Sequence, residues 1–96
     1  RTPLQPPIFI GNTVDIKTSL LGNGCIVHGQ IENSVIFSGV YIGNGSKIVD
    51  SVIMPNSIIG DNVSLKRVIV SSDTLISRGT TIENKDSEII VLDRNI

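Results

Sequence analysis

The chain has 96 residues, room for one small domain, and a net charge of −1 with basic and acidic residues scattered, which argues against DNA or RNA as a partner. Hydrophobic residues make up 40% but aromatic ones only 3%, with no Trp, so the core must be aliphatic. The single cysteine, Cys25, excludes an intrachain disulfide, and no apolar run nears the roughly 18 residues that cross a bilayer. A soluble, cytoplasmic protein without membrane contact is expected.

Residues 1–7, with Thr2-Pro3-Leu4-Gln5-Pro6-Pro7, read as a proline-rich linker from an N-terminal domain outside this chain, and residues 8–96 as the domain itself. From there Ile and Val recur in pairs and triplets broken by Gly, Asn, Asp and Ser. β-branched residues in short runs favour many short strands over helices. The runs also repeat. Ile42, Ile59 and Ile76 are spaced by 17, and the same offset links Ile48, Leu65 and Ile82, then Val35, Val52 and Ile69, then Ile36, Ile53 and Val70. One step of 17 back from Ile42 and Ile48 gives Cys25 and Ile31, and a shorter step of 15 gives Ile10 and Ile16. Five coils result, starting at Ile10, Cys25, Ile42, Ile59 and Ile76, each with an apolar position about every six residues. That spacing makes a three-sided coil whose strands pair with those one coil away: an all-β, single-stranded β-helix with a continuous aliphatic core.

Corners between sides need residues that accept positive φ. One corner column reads His28, Gly45, Asn62, Gly79, and another reads Gly39, Asn56, Asp73, preceded by Gly24 or Asn23. Val14, Gly29, Ser46, Val63 and Thr80 are small enough to sit inside a narrow prism. After the polar break Glu83-Asn84-Lys85-Asp86-Ser87, the segment Glu88-Ile89-Ile90-Val91-Leu92-Asp93 reads as a last strand that closes the end of the stack.

Chemistry-bearing residues are few. His28, the one histidine, falls in a corner column and reads as a turn residue, although it could serve as the base of an acyltransferase acting on an acyl-CoA. Cys25, in the column of Ile42, is expected to be a buried, inert thiol. Gly22-Asn23-Gly24 and Gly43-Asn44-Gly45 lack the Lys-Ser/Thr pair of a phosphate loop and read as turns. No His, Cys and carboxylate cluster has metal-ligand spacing. Catalytic, cofactor and metal residues are therefore expected to be absent from this chain. Lys66, Arg67, Arg78 and Arg94 are placed on the exterior.

The stretches Ser19-Leu20-Leu21-Gly22-Asn23-Gly24-Cys25-Ile26-Val27-His28-Gly29, Glu32-Asn33-Ser34-Val35-Ile36-Phe37 and Asp50-Ser51-Val52-Ile53-Met54-Pro55 resemble the C-terminal domain of bacterial glucose-1-phosphate adenylyltransferases, over roughly residues 6 to 92. The resemblance implies a left-handed helix of hexapeptide repeats. It implies a parent whose N-terminal catalytic domain uses Mg²⁺ to make ADP-glucose and pyrophosphate from ATP and glucose 1-phosphate for glycogen or starch synthesis. The β-helix would then pack on that domain, support a homo- or hetero-oligomer, and contribute to a site for a small phosphorylated effector. Family members that respond to such effectors carry basic residues in a loop that here reads Ser71-Ser72-Asp73, without one, and around the closing strand, where Arg94 matches. That departure implies either a weakly regulated enzyme or a non-catalytic regulatory subunit. A hexapeptide acyltransferase and another sugar nucleotidyltransferase, such as a mannose 1-phosphate guanylyltransferase, are the alternatives.

Overall fold

In the computed structural model, residues 9–10, 16–17, 19–85 and 87–96 are described. The linker read in residues 1–7, and Val14 and Asp86, lie outside them. The described residues hold fifteen strands of two or three residues, β1 to β15 in chain order, and no helix. They form three parallel five-stranded sheets, one per side of a prism. The first face stacks β1 (Phe9–Ile10), β4 (Ile26–Val27), β7 (Tyr41–Ile42), β10 (Ile58–Ile59) and β13 (Leu75–Ile76). The second stacks β2 (Ile16–Lys17), β5 (Gln30–Glu32), β8 (Lys47–Val49), β11 (Ser64–Lys66) and β14 (Thr81–Glu83). The third stacks β3 (Leu20–Leu21), β6 (Val35–Ile36), β9 (Val52–Ile53), β12 (Val68–Val70) and β15 (Ile90–Leu92). This is the β-helix expected, consistent with the left-handed form. Between Ile10 and its last equivalent, Ile76, it completes four turns, and a fifth coil follows on the other two faces.

The core is the stack of inward side chains. Ile31, Ile36, Ile42, Ile48, Ile53, Ile59, Leu65 and Ile76 are all buried, each contributing about 1.5–3 kcal/mol. Each strand is too short to be stable alone, so burial and the hydrogen bonds between rungs act together along the stack.

The structure corrects one register. Ile10 pairs with Val27 and Val27 with Ile42, so Cys25 is not in the Ile42 column. The short step lies one corner later than expected, because Val27 and Ile31 are four residues apart where Ile42 and Ile48 are six. Gly29 makes this cut corner feasible: a Cβ there would lie 2.5 Å from the carbonyl oxygen of Ser46. His28 consequently does not take the positive φ of Gly45, Asn62 and Gly79. It packs half-buried, edge-on to Tyr41, with ring centroids 5.8 Å apart. The second corner column is as read from sequence, with Gly24, Gly39, Asn56 and Asp73 all at positive φ.

A third corner, between the second and third faces, adds Asn33, Asp50 and Arg67 at φ of 50°, 49° and 58°. Asn and Asp adopt this conformation readily, whereas for Arg67 it costs about 1–2 kcal/mol. Just inside this corner runs a hydroxyl ladder. Ser34 and Ser51 are buried; the Ser51 hydroxyl donates to the Val49 carbonyl at 2.7 Å and accepts from the Val68 N–H at 3.2 Å. Ser34 does the same one coil below, donating to Glu32 O and accepting from Ser51 N.

The closing strand completes the fifth coil in register, with Leu92 beside Val70, after a step of 22 residues. Asn84 is buried at the start of the longer excursion, and its side-chain amide donates to the carbonyls of Arg67 and Glu88. The tail then returns to the first face: Ile96 N–H donates to Leu75 O and Ser77 N–H to Ile96 O, so a further rung begins above β13.

Candidate interaction faces and effector residue

Each strand presents inward residues to the core and outward ones to solvent, so the outside of the prism is also organised in columns. The second face is polar, with Gln30, Lys47, Ser64 and Thr81 in one outward column and Glu32, Val49, Lys66 and Glu83 in the next. The other two are not. On the first face the outward column reads Ile26, Tyr41, Ile58, Leu75, with Ile58 48% and Leu75 42% exposed. On the third it reads Leu20, Val35, Val52, Ile69, Val91, with Leu20 70% and Val91 52% exposed. Large apolar side chains left in water in continuous columns mark contact surfaces. The signal was legible as the doublets Tyr41-Ile42, Ile58-Ile59 and Leu75-Ile76, in which only the second residue is needed for the core.

The basic residues expected outside are outside but do not converge. Lys66 projects from the second face, Arg67 holds the second-to-third corner and Arg78 the first-to-second corner, all exposed. Arg94 stands on the third-to-first corner, just past β15, with its guanidinium 3.9 Å from the Asp93 carboxylate. The loop Ser71-Ser72-Asp73 lies on the same corner, one rung below, tied by the bond from Ser71 N–H to Leu92 O. The two segments that the family resemblance associates with effectors are thus adjacent, but among their residues Arg94 is the sole cation, beside Asp93.

Cys25 is fully buried, as expected, but in the column of Val40, Ser57 and Thr74. Burial pushes its thiol pKa up, against a smaller lowering by a backbone hydrogen bond. Both glycine-rich pieces are turns. The cut corner leaves a notch of about 300 Å³ bordered by His28, Gln30, Gly45, Lys47 and Ser64. No three His, Cys, Asp or Glu side chains among the described residues gather in a way that could hold a metal ion. No helix there is long and apolar enough to cross a membrane.

Residues 9–89 match the family model described as GlmU-like, C-terminal hexapeptide. A glucose-1-phosphate adenylyltransferase of Bacillus cytotoxicus is 41% identical over 91 residues, covering 94% of this chain and 24% of that protein. One from Bacillus thuringiensis (strain Al Hakam) is 38% identical over 92 residues, covering 93% and 24%. The chain thus spans about a quarter of the length of the curated relatives it matches. Among solved structures, a perosamine N-acetyltransferase from Caulobacter crescentus superposes with a TM-score of 0.62 at 13% identity, over 90% of this chain and 50% of that one. The acetyltransferase domain of PglB from Neisseria gonorrhoeae FA1090 gives 0.60 at 14%, over 93% and 56%. At such identities the superpositions show the fold alone.

Proposed function

The chain belongs to the GlmU-like, C-terminal hexapeptide family, and from that premise we propose that it is the assembly and regulatory β-helix of a glucose-1-phosphate adenylyltransferase or of its non-catalytic regulatory subunit. The parent reaction joins ATP and glucose 1-phosphate to give ADP-glucose and pyrophosphate. The observation that carries this reading is the 41% identity to an adenylyltransferase along 94% of the chain. Catalysis belongs to the three quarters of such a protein that lie outside this chain. The Mg²⁺ that assists phosphoryl chemistry would be held there too, and no step through it is assigned to these residues.

What this chain supplies is surface. Two apolar faces offer area for the N-terminal domain and for other subunits, while Arg94 offers a cation to a phosphorylated effector at that boundary. One lone arginine beside Asp93 binds a phosphate weakly, so any effector site is completed by residues from outside the chain. Cytoplasmic glycogen synthesis is the setting this implies.

The test is pyrophosphate release from ATP and glucose 1-phosphate by the complete protein, alone and mixed with candidate partner subunits. Activity alone identifies a catalytic enzyme. Silence alone with altered activity in the mixture identifies a regulatory subunit. Silence in both, or saturable binding of an acyl-CoA with transfer that depends on His28, would overturn the reading in favour of an acyltransferase or another nucleotidyltransferase.

A further inference from the structure

The cut corner of the second coil removes a hydrogen-bond acceptor as well as two residues. In the corner column between the first and second faces the backbone N–H points down the stack: that of Asn62 donates to the Asn44 carbonyl at 2.8 Å and that of Gly79 to the Asp61 carbonyl at 2.9 Å. Gly45 holds the same place, at a φ of 72°. The coil below it runs from Val27 to Ile31 through His28, Gly29 and Gln30 alone, and has no residue in position to offer a carbonyl. Among the described residues nothing accepts the Gly45 N–H. It is aimed instead into the notch of about 300 Å³ that the shortcut leaves.

The side chains around that donor are of one kind. Gln30, Lys47 and Ser64 follow one another up the outward column of the second face, at about 4.8 Å per rung, and all three border the notch. Lys47 is exposed and forms no ion pair among the described residues. His28 forms a further wall, set by its ring contact with Tyr41. No Asp or Glu borders the notch. Asp61 lies one coil above this corner, where it accepts the Asn44 N–H at 2.9 Å, and Glu32 stands in the next outward column of the second face. A backbone N–H, an ammonium, an amide and a hydroxyl around one hollow, without a carboxylate, suit a negatively charged oxygen acceptor.

We propose that the notch binds a small oxyanion, a phosphate or a carboxylate, with the Gly45 N–H on one oxygen, the Lys47 ammonium on another, and Gln30 and Ser64 as flanking donors. The volume stands at the small end of ligand pockets, roughly 300–1,000 Å³, which sets the ligand at a free oxyanion or an acid of a few carbons. With a single cation, a dissociation constant on the order of 1 mM is expected. The site is on the corner between the first and second faces, whereas Arg94 stands on the corner between the third and first. It is therefore separate from the effector residue discussed above, and it does not depend on which reaction the parent performs.

The experiment is rapid-quench hydrogen exchange of the complete protein, read by mass spectrometry on peptides spanning residues 42–47, with inorganic phosphate and acetate as probes against chloride at equal ionic strength. An oxyanion at about 10 mM should slow one amide of this segment by roughly tenfold, the ratio of ligand to dissociation constant. The probe that slows it more identifies the class of oxyanion. Lys47→Gln, at an exposed position, should leave the melting temperature unchanged and reduce the slowing by roughly threefold or more. Inserting Asn-Gly between His28 and Gly29 restores the full corner, fills the notch and gives Gly45 its carbonyl. The amide should then be protected without any oxyanion and insensitive to both probes. Arg94→Ala should respond like wild type. The proposal fails if neither probe slows the amide at about 50 mM, far above the expected dissociation constant. It fails equally if Lys47→Gln responds like wild type, if a folded insertion variant still responds, or if Arg94→Ala abolishes the response. Should the insertion variant not fold, the comparison of Lys47→Gln with wild type decides alone.

Discussion

Val27 lies beside Ile42 in the first face although only fifteen residues separate them, while Ile42 and Ile59 are neighbours at seventeen. The two missing residues come out of the corner at His28-Gly29, and both strands stay in register. The chain can afford that shortcut only because Gly29 lets its backbone lie against Ser46.

Gly29→Ala should be among the most damaging small changes in the chain. Its Cβ would meet the Ser46 carbonyl oxygen at 2.5 Å and the Gly43 carbonyl oxygen at 3.1 Å, both backbone atoms held by neighbouring rungs. A cost of about 2–3 kcal/mol is expected from the forced shift. Gly79→Ala makes the comparison informative, since nothing lies within 4 Å of a Cβ there and only its φ of +79° opposes the change, worth about 1 kcal/mol. Urea unfolding of both variants checks the ranking, and equal losses would contradict the close approach at Gly29.

Cys25 shares its column with Val40, Ser57 and Thr74, so the site takes small and β-branched side chains of either polarity. Cys25→Val should cost under about 1 kcal/mol, and Cys25→Leu more than that by overpacking. The thiol should resist reagents in the native protein and react at once in denaturant. Because burial raises the folded-state pKa above the unfolded one, the associated stability is present below the unfolded thiol pKa and is lost as pH rises past it. A melting temperature that drops more steeply in alkali for wild type than for Cys25→Val is the expected signature.

The sequence carried the prism, two of its three corners and most of its core, since a stacked coil repeats each environment every 17 residues and hides none of them. It misled at Cys25 because a two-residue deletion can be placed in either of two adjacent corners when both candidates, Cys25 and Val27, are small and apolar. The third corner escaped notice because Arg67 is the wrong residue type for positive φ and broke the column of Asn33 and Asp50. The outward apolar columns were in view as Ile-Ile and Leu-Ile doublets, but which member faces out depends on register. Arg94 could be placed on the surface from sequence; that it stands above the Ser71-Ser72-Asp73 loop as its one cation depends on how β15 stacks above Ser71.

Ser51→Ala should show what the buried hydroxyls contribute. Its hydroxyl is the acceptor for the Val68 N–H, and both residues are buried just inside the corner. Removing it leaves that donor unsatisfied, at a cost of about 1–3 kcal/mol. Hydrogen exchange locates the effect: the Val68 amide should lose protection well before those of Leu65 or Ile59. Uniform loss across all three faces would mean that the ladder acts only through global stability.

Arg94→Ala should act on regulation rather than on folding. The side chain is exposed and its ion pair to its neighbour Asp93, at 3.9 Å, is too open to contribute measurably to stability, so the melting temperature should not move. If a phosphorylated effector binds at this corner, loss of a charge-assisted hydrogen bond from the guanidinium costs about 1–1.5 kcal/mol, a several-fold to tenfold higher half-saturating concentration. Asp93→Asn separates this from a general change of surface charge, because it frees Arg94 of its neighbour and should shift the response the opposite way. The assay is effector titration of the complete protein, in a mixture with a catalytic partner if it is silent alone. Identical titrations for wild type, Arg94→Ala and Asp93→Asn would remove Arg94 from the effector site and leave the apolar faces as what this domain contributes.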